Sequence, residues 1–189
     1  MHSDNEKTAL LVMDIENGIV SRYAENGEEL SPVQQAVAAA RENNMQVIFV
    51  RVGFSEGYPE VNPRNPAFTR IAENGGMTLS DEGTQIHESV QPQENEPIVT
   101  KYRVSAFAGS NLEMILEALD IKTLVLTGIA TSGVVLSTLR EAADKDFSLK
   151  VLKDACLDGD PDVHRVLTEK VFPQQADVLS VNEWAETVN

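Results

Sequence analysis

Blocks of apolar residues alternate with amphipathic segments along the whole chain. The first block, Thr8 to Asp14 (TALLVMD), is continuously apolar up to a final carboxylate, which is typical of a strand buried on both faces. Similar blocks predict five further strands, at Met45 to Val52, Pro97 to Lys101, Thr123 to Thr127, Leu149 to Lys153 and Ala176 to Val181.

Helical spacing marks the segments between these strands. Ser31, followed by Pro32, predicts a capped helix start, and Gly109 or Ser110 begins a second helix. Gly128 is expected to break the fourth strand, after which apolar residues recur at helical intervals from Ser132. Two more helices are predicted, at Pro161 to Val171 and in a short tail that holds Trp184.

This alternation predicts a three-layer α-β-α sandwich, with a six-stranded parallel sheet covered on both faces and joined by right-handed crossovers. A chain of 189 residues can bury a proper core, so residues 1–189 are predicted to form a single domain. One irregular stretch, Gly53 to Pro97, has a length and a proline content typical of a functional lid or an oligomer contact.

Composition narrows the classes of function. Thirty acidic and fifteen basic residues give a formal charge of −15, which opposes binding to nucleic acid or to an anionic membrane. The chain has no apolar run of eighteen residues and begins with the polar MHSDNEK, so neither a membrane span nor secretion is indicated and a cytoplasmic location is expected. The one cysteine, Cys156, excludes an internal disulfide and a multi-cysteine metal cluster.

Three candidate site elements follow predicted strands. Asp14 ends the first strand, Lys101 ends the third, and the turn Gly128 to Val134 follows the fourth. Open α/β sheets place their ligand sites at the carboxyl edge of parallel strands, so we expect these elements to meet. The unpaired N–H groups at the start of the helix after the turn would face the same crevice.

Three segments carry a family resemblance: ALLVMDIENG, VTKYRVSAFAGSNL, and LTGIATSGVV followed by LREAADKDFSLKVLKDAC. In order, from Thr8 to Trp184, the chain resembles the isochorismatase-like, or cysteine hydrolase, family, which includes nicotinamidases and N-carbamoyl amidohydrolases. The resemblance implies a sheet with a strand order like that of a dinucleotide-binding (Rossmann-like) sheet. In the family's amidohydrolases an aspartate, a lysine and a cysteine form a triad. Asp14 and Lys101 match the first two, and Val134 stands at the cysteine position.

The resemblance also implies the surroundings of the turn. The family pattern has a non-proline cis bond between Ile129 and Ala130, and the N–H groups of Ala130 and Val134 would face the ligand as an oxyanion site. The histidine cluster of family nicotinamidases has no counterpart in RVGFSEGYPEVNPRNPAF, so neither a metal nor a cofactor is expected. Family members commonly assemble as dimers or tetramers, so a homo-oligomer is expected.

Val134 bears directly on the mechanism. An isopropyl side chain has no lone pair with which to attack an amide carbon, so thioester catalysis at Val134 is excluded. Thr131, Ser132 and Ser137 are expected to pack or to make turn or cap hydrogen bonds, and Cys156 is interpreted as a small core residue. Hydrolysis by Cys156 or by a turn hydroxyl stays open as an alternative.

Further residues are candidates for contact with a ligand. The candidates for lining a pocket are Phe54, Tyr58, Phe68, Ser132 and His87, whereas Phe107 is expected to pack in the core. His87 is otherwise a residue of a surface loop or an interface. The candidates for holding an anionic substrate are Arg51, Arg64, Arg70 and Arg103.

The favoured hypothesis is a hydrolase that acts on a small molecule without a covalent thioester. By analogy with the family's isochorismatases, which have glycine at the cysteine position, Asp14 would act as general acid or base and Lys101 as its electrostatic partner. The alternative is a non-catalytic binding protein, a pseudoenzyme of the same fold. In that case Asp14 and Lys101 would form an ion pair that only ties two strand ends.

Overall fold

Six strands form one parallel sheet in the computed structural model, which describes residues 7–24 and 27–188. The strands are β1 (Thr8–Met13), β2 (Gln46–Val52), β3 (Ile98–Lys101), β4 (Thr123–Ile129), β5 (Ser148–Leu157) and β6 (Asp177–Leu179). Their order is β3-β2-β1-β4-β5-β6, and each neighbouring pair is parallel. The predicted parallel sheet is confirmed, and so is the strand order that the resemblance implied.

Seven α-helices accompany the sheet in the part of the chain that the structure describes. They are α1 (Asn17–Tyr23), α2 (Ser31–Glu42), α3 (Pro66–Asn74), α4 (Leu112–Ala118), α5 (Leu136–Asp144), α6 (Pro161–Val166) and α7 (Val181–Val188). Helices α1, α2 and α7 pack against one face of the sheet, and α4 and α5 pack against the other. None of the seven is long and apolar enough to cross a lipid bilayer.

The central strand β1 contributes to the cores on both faces. All six of its residues are buried, as the continuous apolar run predicts. Leu10 and Val12 pack into the core that holds α1, α2 and α7. Leu11 and Met13 pack into the core that holds α4 and α5. Successive side chains of a strand point to opposite faces, so a strand that is apolar throughout has to be covered twice.

Gly128 lies where β4 passes very close to β1. Its φ is +148°, and a Cβ at this position would lie 2.4 Å from the carbonyl oxygen of Met13. Only glycine fits there, and β4 continues through it to Ile129. The expectation that Gly128 ends the strand was therefore wrong, because this glycine serves the close approach of two strands rather than a turn.

Helix boundaries differ in detail from the predicted ones. Helix α2 starts at Ser31, but Leu30 is its N-cap residue, so Ser31 is not the cap. Helix α4 starts at Leu112 and not at Ser110. The segment predicted as one helix from Pro161 divides into α6 and a π-helical turn at Leu167–Val171. Apolar spacing locates a helix well, whereas its ends depend on the hydrogen bonds of the terminal residues.

The segment from residue 53 to residue 97 is more ordered than its prolines indicate. It contains α3 and two short 3₁₀ turns, Glu82–Thr84 and Glu88–Val90. The N–H of His87 donates to the carbonyl of Ile15 at 2.9 Å, and Glu16 forms a β-bridge with Ile86. These contacts hold the segment against the residues that directly follow β1. It thereby forms one side of the crevice at the carboxyl edge of the sheet.

Candidate active site

Asp14 and Lys101 form a buried ion pair at the carboxyl edge of the sheet. Asp14 directly follows β1 and Lys101 ends β3, and the Nζ atom of Lys101 lies 3.0 Å from Oδ2 of Asp14. Only 3% of the Lys101 side chain and 7% of the Asp14 side chain are exposed. The two side chains that were predicted at one edge do meet, with the end of β2 between their strands.

The backbone at Asp14 directs the chain out of the sheet. The Asp14 N–H donates to the carbonyl of Val50 at 2.8 Å, so the pairing of β1 with β2 extends to this residue. Its φ is +58°, a left-handed conformation that aspartate tolerates better than most side chains. The chain turns away while the carboxyl group stays on the wall of the crevice.

The turn after β4 has the cis peptide bond between Ile129 and Ala130 that the resemblance implied. A π-helical turn, Thr131–Val135, follows it and leads into α5 at Leu136, so the α-helix starts later than the predicted Ser132. Both Ala130 and Val134 line the crevice.

Hydrogen bonds to the segment after β5 anchor this turn. The Oγ1 of Thr131 donates to the carbonyl of Leu157 at 3.2 Å and lies 2.8 Å from Nδ1 of His164. The N–H of Ser132 donates to Asp158 at 2.7 Å. The Thr131 hydroxyl therefore anchors the turn, in agreement with the interpretation that it forms turn hydrogen bonds.

A cavity of about 280 Å³ lies over the ion pair, between α1, α3 and the turn after β4. Its apolar lining includes Phe68, Ile71 and Met77, and its charged lining residues are Asp14, Arg22, Lys101 and Arg103. The cavity thus has three cationic side chains and one acidic one, although the whole chain has 15 basic and 30 acidic residues. This reversal suits the cavity to a small anionic molecule with an apolar body.

Contacts hold Arg103 in place on the cavity wall. Its guanidinium donates to the carbonyl of Glu60 at 3.0 Å and lies 5.6 Å from the centre of the Phe68 ring, a cation–π distance. Arg22, in the last turn of α1, is exposed. Arg103 was a predicted anion-binding candidate, whereas Arg22 was missed.

Burial and the neighbouring ammonium of Lys101 have opposite effects on the pKa of Asp14. Loss of solvent raises the pKa of the Asp14 carboxyl above its ordinary value, and the charge and hydrogen bond of Lys101 oppose that rise. One carboxyl oxygen, Oδ1, is buried and has no hydrogen-bond partner. Asp14 is therefore a buried carboxyl with one oxygen available on a cavity wall.

A second buried acid, Glu16, lies beside this pair. Its side chain is fully buried, and its Oε1 accepts the N–H of Val52 at 2.6 Å. Burial, reinforced by the negative charge of Asp14, raises the pKa of Glu16 to about 9, so this side chain is uncharged at neutral pH. Glu16 was not among the site residues predicted from the sequence. The available signal was a second acidic residue two positions after Asp14. Only its burial, which the sequence does not show, makes the pKa of Glu16 unusual.

Val134, the residue that the resemblance places at the nucleophile position, is apolar, and the single cysteine lies elsewhere. Val134 is 2% exposed and packs in the core that holds α4 and α5. Cys156, in β5, is in the same core and is also 2% exposed. Burial raises the pKa of its thiol to about 12, which leaves almost no thiolate at neutral pH.

The cavity lining does not include four of the predicted pocket residues, Phe54, Tyr58, Ser132 and His87. Phe54 is fully buried and packs edge-on against Phe68, which does line it, so Phe54 lies one layer behind the wall. The Tyr58 hydroxyl donates to the carbonyl of Gly76 at 2.8 Å. Ser132 is exposed on the turn. The rings of Phe54 and Tyr58 belong to the segment after β2, which places them outside the cavity lining.

The remaining candidates have other roles. Nδ1 of His87 lies 2.8 Å from the Ser89 hydroxyl and caps a 3₁₀ turn, so His87 is not on the cavity wall. Arg51 donates to Thr100 and Gln85, and neither Arg64 nor Arg70 lines the cavity. Among residues 7–24 and 27–188, no three side chains of His, Cys, Asp or Glu converge as metal ligands would. Phe107 packs in the core, as expected.

An open parallel sheet with charged side chains and a cavity beside its central strands defines an α/β protein of the class whose ligand sites lie at the carboxyl edge. More specifically, the chain belongs to the isochorismatase family, because the Isochorismatase domain matches residues 8–183. This family is one of hydrolases.

Relatives and solved structures agree with this assignment. The chain is 28% identical to the uncharacterized isochorismatase family protein YwoC of Bacillus subtilis (strain 168), over 100% of this chain and 97% of that protein. It is 30% identical to ureidoacrylate amidohydrolase RutB of Stutzerimonas stutzeri (strain A1501), over 97% of this chain and 80% of that protein.

Among solved structures, a cysteine hydrolase from Pseudomonas syringae pv. phaseolicola 1448A superposes with a TM-score of 0.89 at 19% identity, over 100% of this chain and 95% of that chain. N-carbamoylsarcosine amidase from Thermoplasma acidophilum superposes with a TM-score of 0.76 at 25% identity, over 93% of this chain and 97% of that chain. The fold is therefore shared across the whole chain.

Proposed function

We propose that this protein hydrolyses a small anionic molecule without forming a covalent thioester. The observation that carries the proposal is the state of Asp14. One of its oxygens is paired with Lys101, and the other is buried without a partner beside the cavity. A carboxyl group in that setting is available to exchange a proton with a bound substrate.

Asp14 acts as the general acid or base, and Lys101 is its electrostatic partner. Burial favours the protonated form of Asp14, whereas the ammonium 3.0 Å away stabilises its carboxylate, so Asp14 can both take up and give up a proton. The N–H groups of Ala130 and Val134 would stabilise negative charge that develops on the substrate. A water molecule then adds to the substrate and completes hydrolysis.

The absence of a thioester rests on two side chains. Val134 has no nucleophilic atom, and the Cys156 thiol is buried in the core with a pKa of about 12. Neither side chain supports a covalent intermediate. We therefore propose that the chain lacks a nucleophilic cysteine altogether.

The cationic lining supports an anionic substrate. Arg22 and Arg103 flank an otherwise apolar wall on a strongly acidic chain. Two relatives are named for compounds that carry a carboxylate, ureidoacrylate and N-carbamoylsarcosine. The same charge argument favours a small molecule over nucleic acid or a membrane as the partner. A cytoplasmic homo-oligomer, a dimer or a tetramer, is the proposed working form, by resemblance to the family.

A binding protein without activity is the second candidate, and the apolar Val134 at the nucleophile position favours it. The pocket and the ion pair would then recognise a ligand without transforming it.

A turnover screen separates these candidates. The purified protein is tested with isochorismate, ureidoacrylate, N-carbamoylsarcosine and the neutral amide nicotinamide, beside Asp14→Asn and Cys156→Ser. We expect an anionic substrate to be turned over, with activity lost in Asp14→Asn and kept in Cys156→Ser. Loss of activity in Cys156→Ser would overturn the thiol-free mechanism. Binding of these anions without any turnover would favour the binding protein.

Arg103→Gln tests how the anion is held. The loss of one cation from the cavity wall is expected to raise KM for the anionic substrate and to leave kcat nearly unchanged. Arg70→Gln is the matched control, because it removes the same charge from a residue outside the cavity lining. Equal effects of the two variants would show that Arg103 makes no specific contact.

A further inference from the structure

Glu16 is a buried acid that the mechanism above does not use. Its Oε1 has a partner, the N–H of Val52, but its Oε2 is buried and has none. A buried polar oxygen without a hydrogen bond is unfavourable, so it calls for an explanation. Oδ1 of Asp14, on the neighbouring carboxyl group, is unpartnered in the same way.

Three charged groups act on Glu16 from the strands packed around it. Asp14 follows β1, Arg51 lies in β2, and Lys101 ends β3. Arg51 is only partly buried, and its guanidinium donates to Gln85 on the exposed side, so solvent screens its charge. The buried charges that have to balance are therefore those of the two carboxyl groups and of the Lys101 ammonium.

One proton makes this buried group electrically neutral. If both carboxyl groups were ionised, two negative charges would face one ammonium, and burying the excess charge would be costly. With one proton on the carboxyl pair, the remaining carboxylate and the Lys101 ammonium balance each other. Two carboxyl groups that share a site commonly hold one proton between them.

We propose that Glu16 stores the proton that Asp14 delivers to the substrate, so that the two carboxyl groups hold one proton at neutral pH. The inference rests on the proposed role of Asp14 as an acid. In the resting state the proton is on Oε2 of Glu16 and Asp14 is the carboxylate paired with Lys101. Glu16 acts through Asp14 and is in this sense a positioning residue.

The proton balance closes over one turnover. One O–H bond breaks at Oε2 of Glu16 and one O–H bond forms at Oδ1 of Asp14, and Asp14 then protonates the substrate. The water that adds to the substrate releases one proton, which returns to the carboxyl pair. No reactant other than the substrate and this water is needed.

The structure also explains why the stored proton rests on Glu16. The ammonium of Lys101 is 3.0 Å from Asp14 and stabilises its carboxylate, whereas the one hydrogen bond that Glu16 accepts comes from a neutral N–H. Burial and the charge of Asp14 accordingly raise the pKa of Glu16 to about 9. Protonated on Oε2, Glu16 still accepts the Val52 N–H through Oε1.

Carboxyl ¹³C NMR tests the location of the proton without any substrate. The Glu16 signal is assigned as the one missing from Glu16→Gln, a variant that keeps an acceptor oxygen for Val52 but holds no carboxyl proton. We expect this signal to titrate near pH 9 in the parent and at a clearly lower pH in Asp14→Asn. Titration of Glu16 in the ordinary glutamate range, or no change in Asp14→Asn, would overturn the shared proton.

The pH profile of turnover tests the delivery step. At about pH 7, Glu16→Gln is expected to lose roughly tenfold or more in kcat, and at about pH 5 it should recover, because solvent then protonates Asp14 directly. A purely structural defect would not be rescued by acid. A profile identical to that of the parent would overturn the inference.

The matched control is Glu96→Gln, which changes another buried glutamate away from the cavity and should leave the profile unchanged. If Asp14→Asn keeps full turnover, the proposed function fails. The NMR titration would still decide where the proton is held.

Discussion

Glu96 and Asp14 are buried carboxylates that each pair with a cation, but they differ in how many of their oxygens have hydrogen-bond partners. Glu96 accepts two hydrogen bonds from Arg41, at 2.8 and 2.7 Å, and a third from the N–H of Gln93 at 2.8 Å. Asp14 has Lys101 on one oxygen and no partner on the other. Glu96 is thus fully bonded, whereas Asp14 is not.

Their pKa values respond accordingly. Burial opposes the ionisation of Glu96, but the hydrogen bonds and charge of Arg41 and the Gln93 N–H outweigh it and hold the pKa of Glu96 below its ordinary value. At Asp14 burial outweighs Lys101, and the pKa is raised. A fully bonded carboxylate ties elements together, whereas an incompletely bonded one beside a cavity is available for chemistry.

The largest expected effect is on turnover in Asp14→Asn. Removing the proton-exchanging group should lower kcat by roughly 10²- to 10⁴-fold, the usual contribution of general acid–base catalysis. Steady-state kinetics at saturating substrate measures the loss, and circular dichroism checks that the variant is folded. Glu96→Gln is the partner experiment and should keep the kcat of the parent. Equal losses of kcat in Asp14→Asn and Glu96→Gln would contradict the proposal that only Asp14 takes part in catalysis.

The second effect is on stability in Glu96→Gln. Loss of the charge-assisted bonds to Arg41 should lower the free energy of unfolding by about 1–3 kcal/mol. The stabilisation from Glu96 is present above its unfolded pKa, ordinarily 4.5, and is lost as the pH falls through the lower folded value. Urea unfolding of parent and variant at neutral pH and in acid measures the loss of unfolding free energy and its dependence on pH. A gap between parent and variant that is the same at every pH would contradict the ionic origin.

The third effect has the opposite sign and concerns Glu16→Gln. The pKa of Glu16 is raised from an ordinary 4.5 to about 9, so the unfolded chain releases this proton at a lower pH than the folded one. The parent should therefore lose stability relative to Glu16→Gln as the pH rises through this window, by roughly 1 kcal/mol per pH unit. Thermal or urea unfolding of both proteins between about pH 6 and pH 8 measures the slope. Parallel stability curves would show that Glu16 ionises normally.

The smallest effect is expected at Cys156, a buried titratable group that does not line the cavity. Burial raises the thiol pKa to about 12 and leaves almost no thiolate at pH 8, so iodoacetamide should label the folded protein far more slowly than the urea-unfolded protein. Mass spectrometry measures the labelling. Cys156→Ser should keep kcat and lose about 1 kcal/mol of stability. Rapid labelling of the folded protein would show that the Cys156 thiol is accessible and would support a catalytic role for it.

Much of the fold could be predicted because buried parallel strands have a strong signal. A run such as TALLVMD is too apolar for a half-exposed strand, and polar residues at its end fall at the sheet edge. This placed Asp14 and Lys101 together correctly. The lining of the cavity was harder to predict, since Phe54 and Tyr58 belong to the segment after β2, whose course depends on long-range contacts such as that of His87 with Ile15.

The sequence by itself determined which strands are buried, their parallel arrangement and the presence of an acid, a lysine and a tight turn at one edge. These follow from local periodicity and chain direction. Only the tertiary structure decided that Arg22 and Arg103 share the cavity with Asp14, that Cys156 is inaccessible, and that Glu16 is uncharged at neutral pH. Protonation and exposure depend on how completely neighbours from other strands exclude water and bond each oxygen, and that information is not carried by any one stretch of the chain.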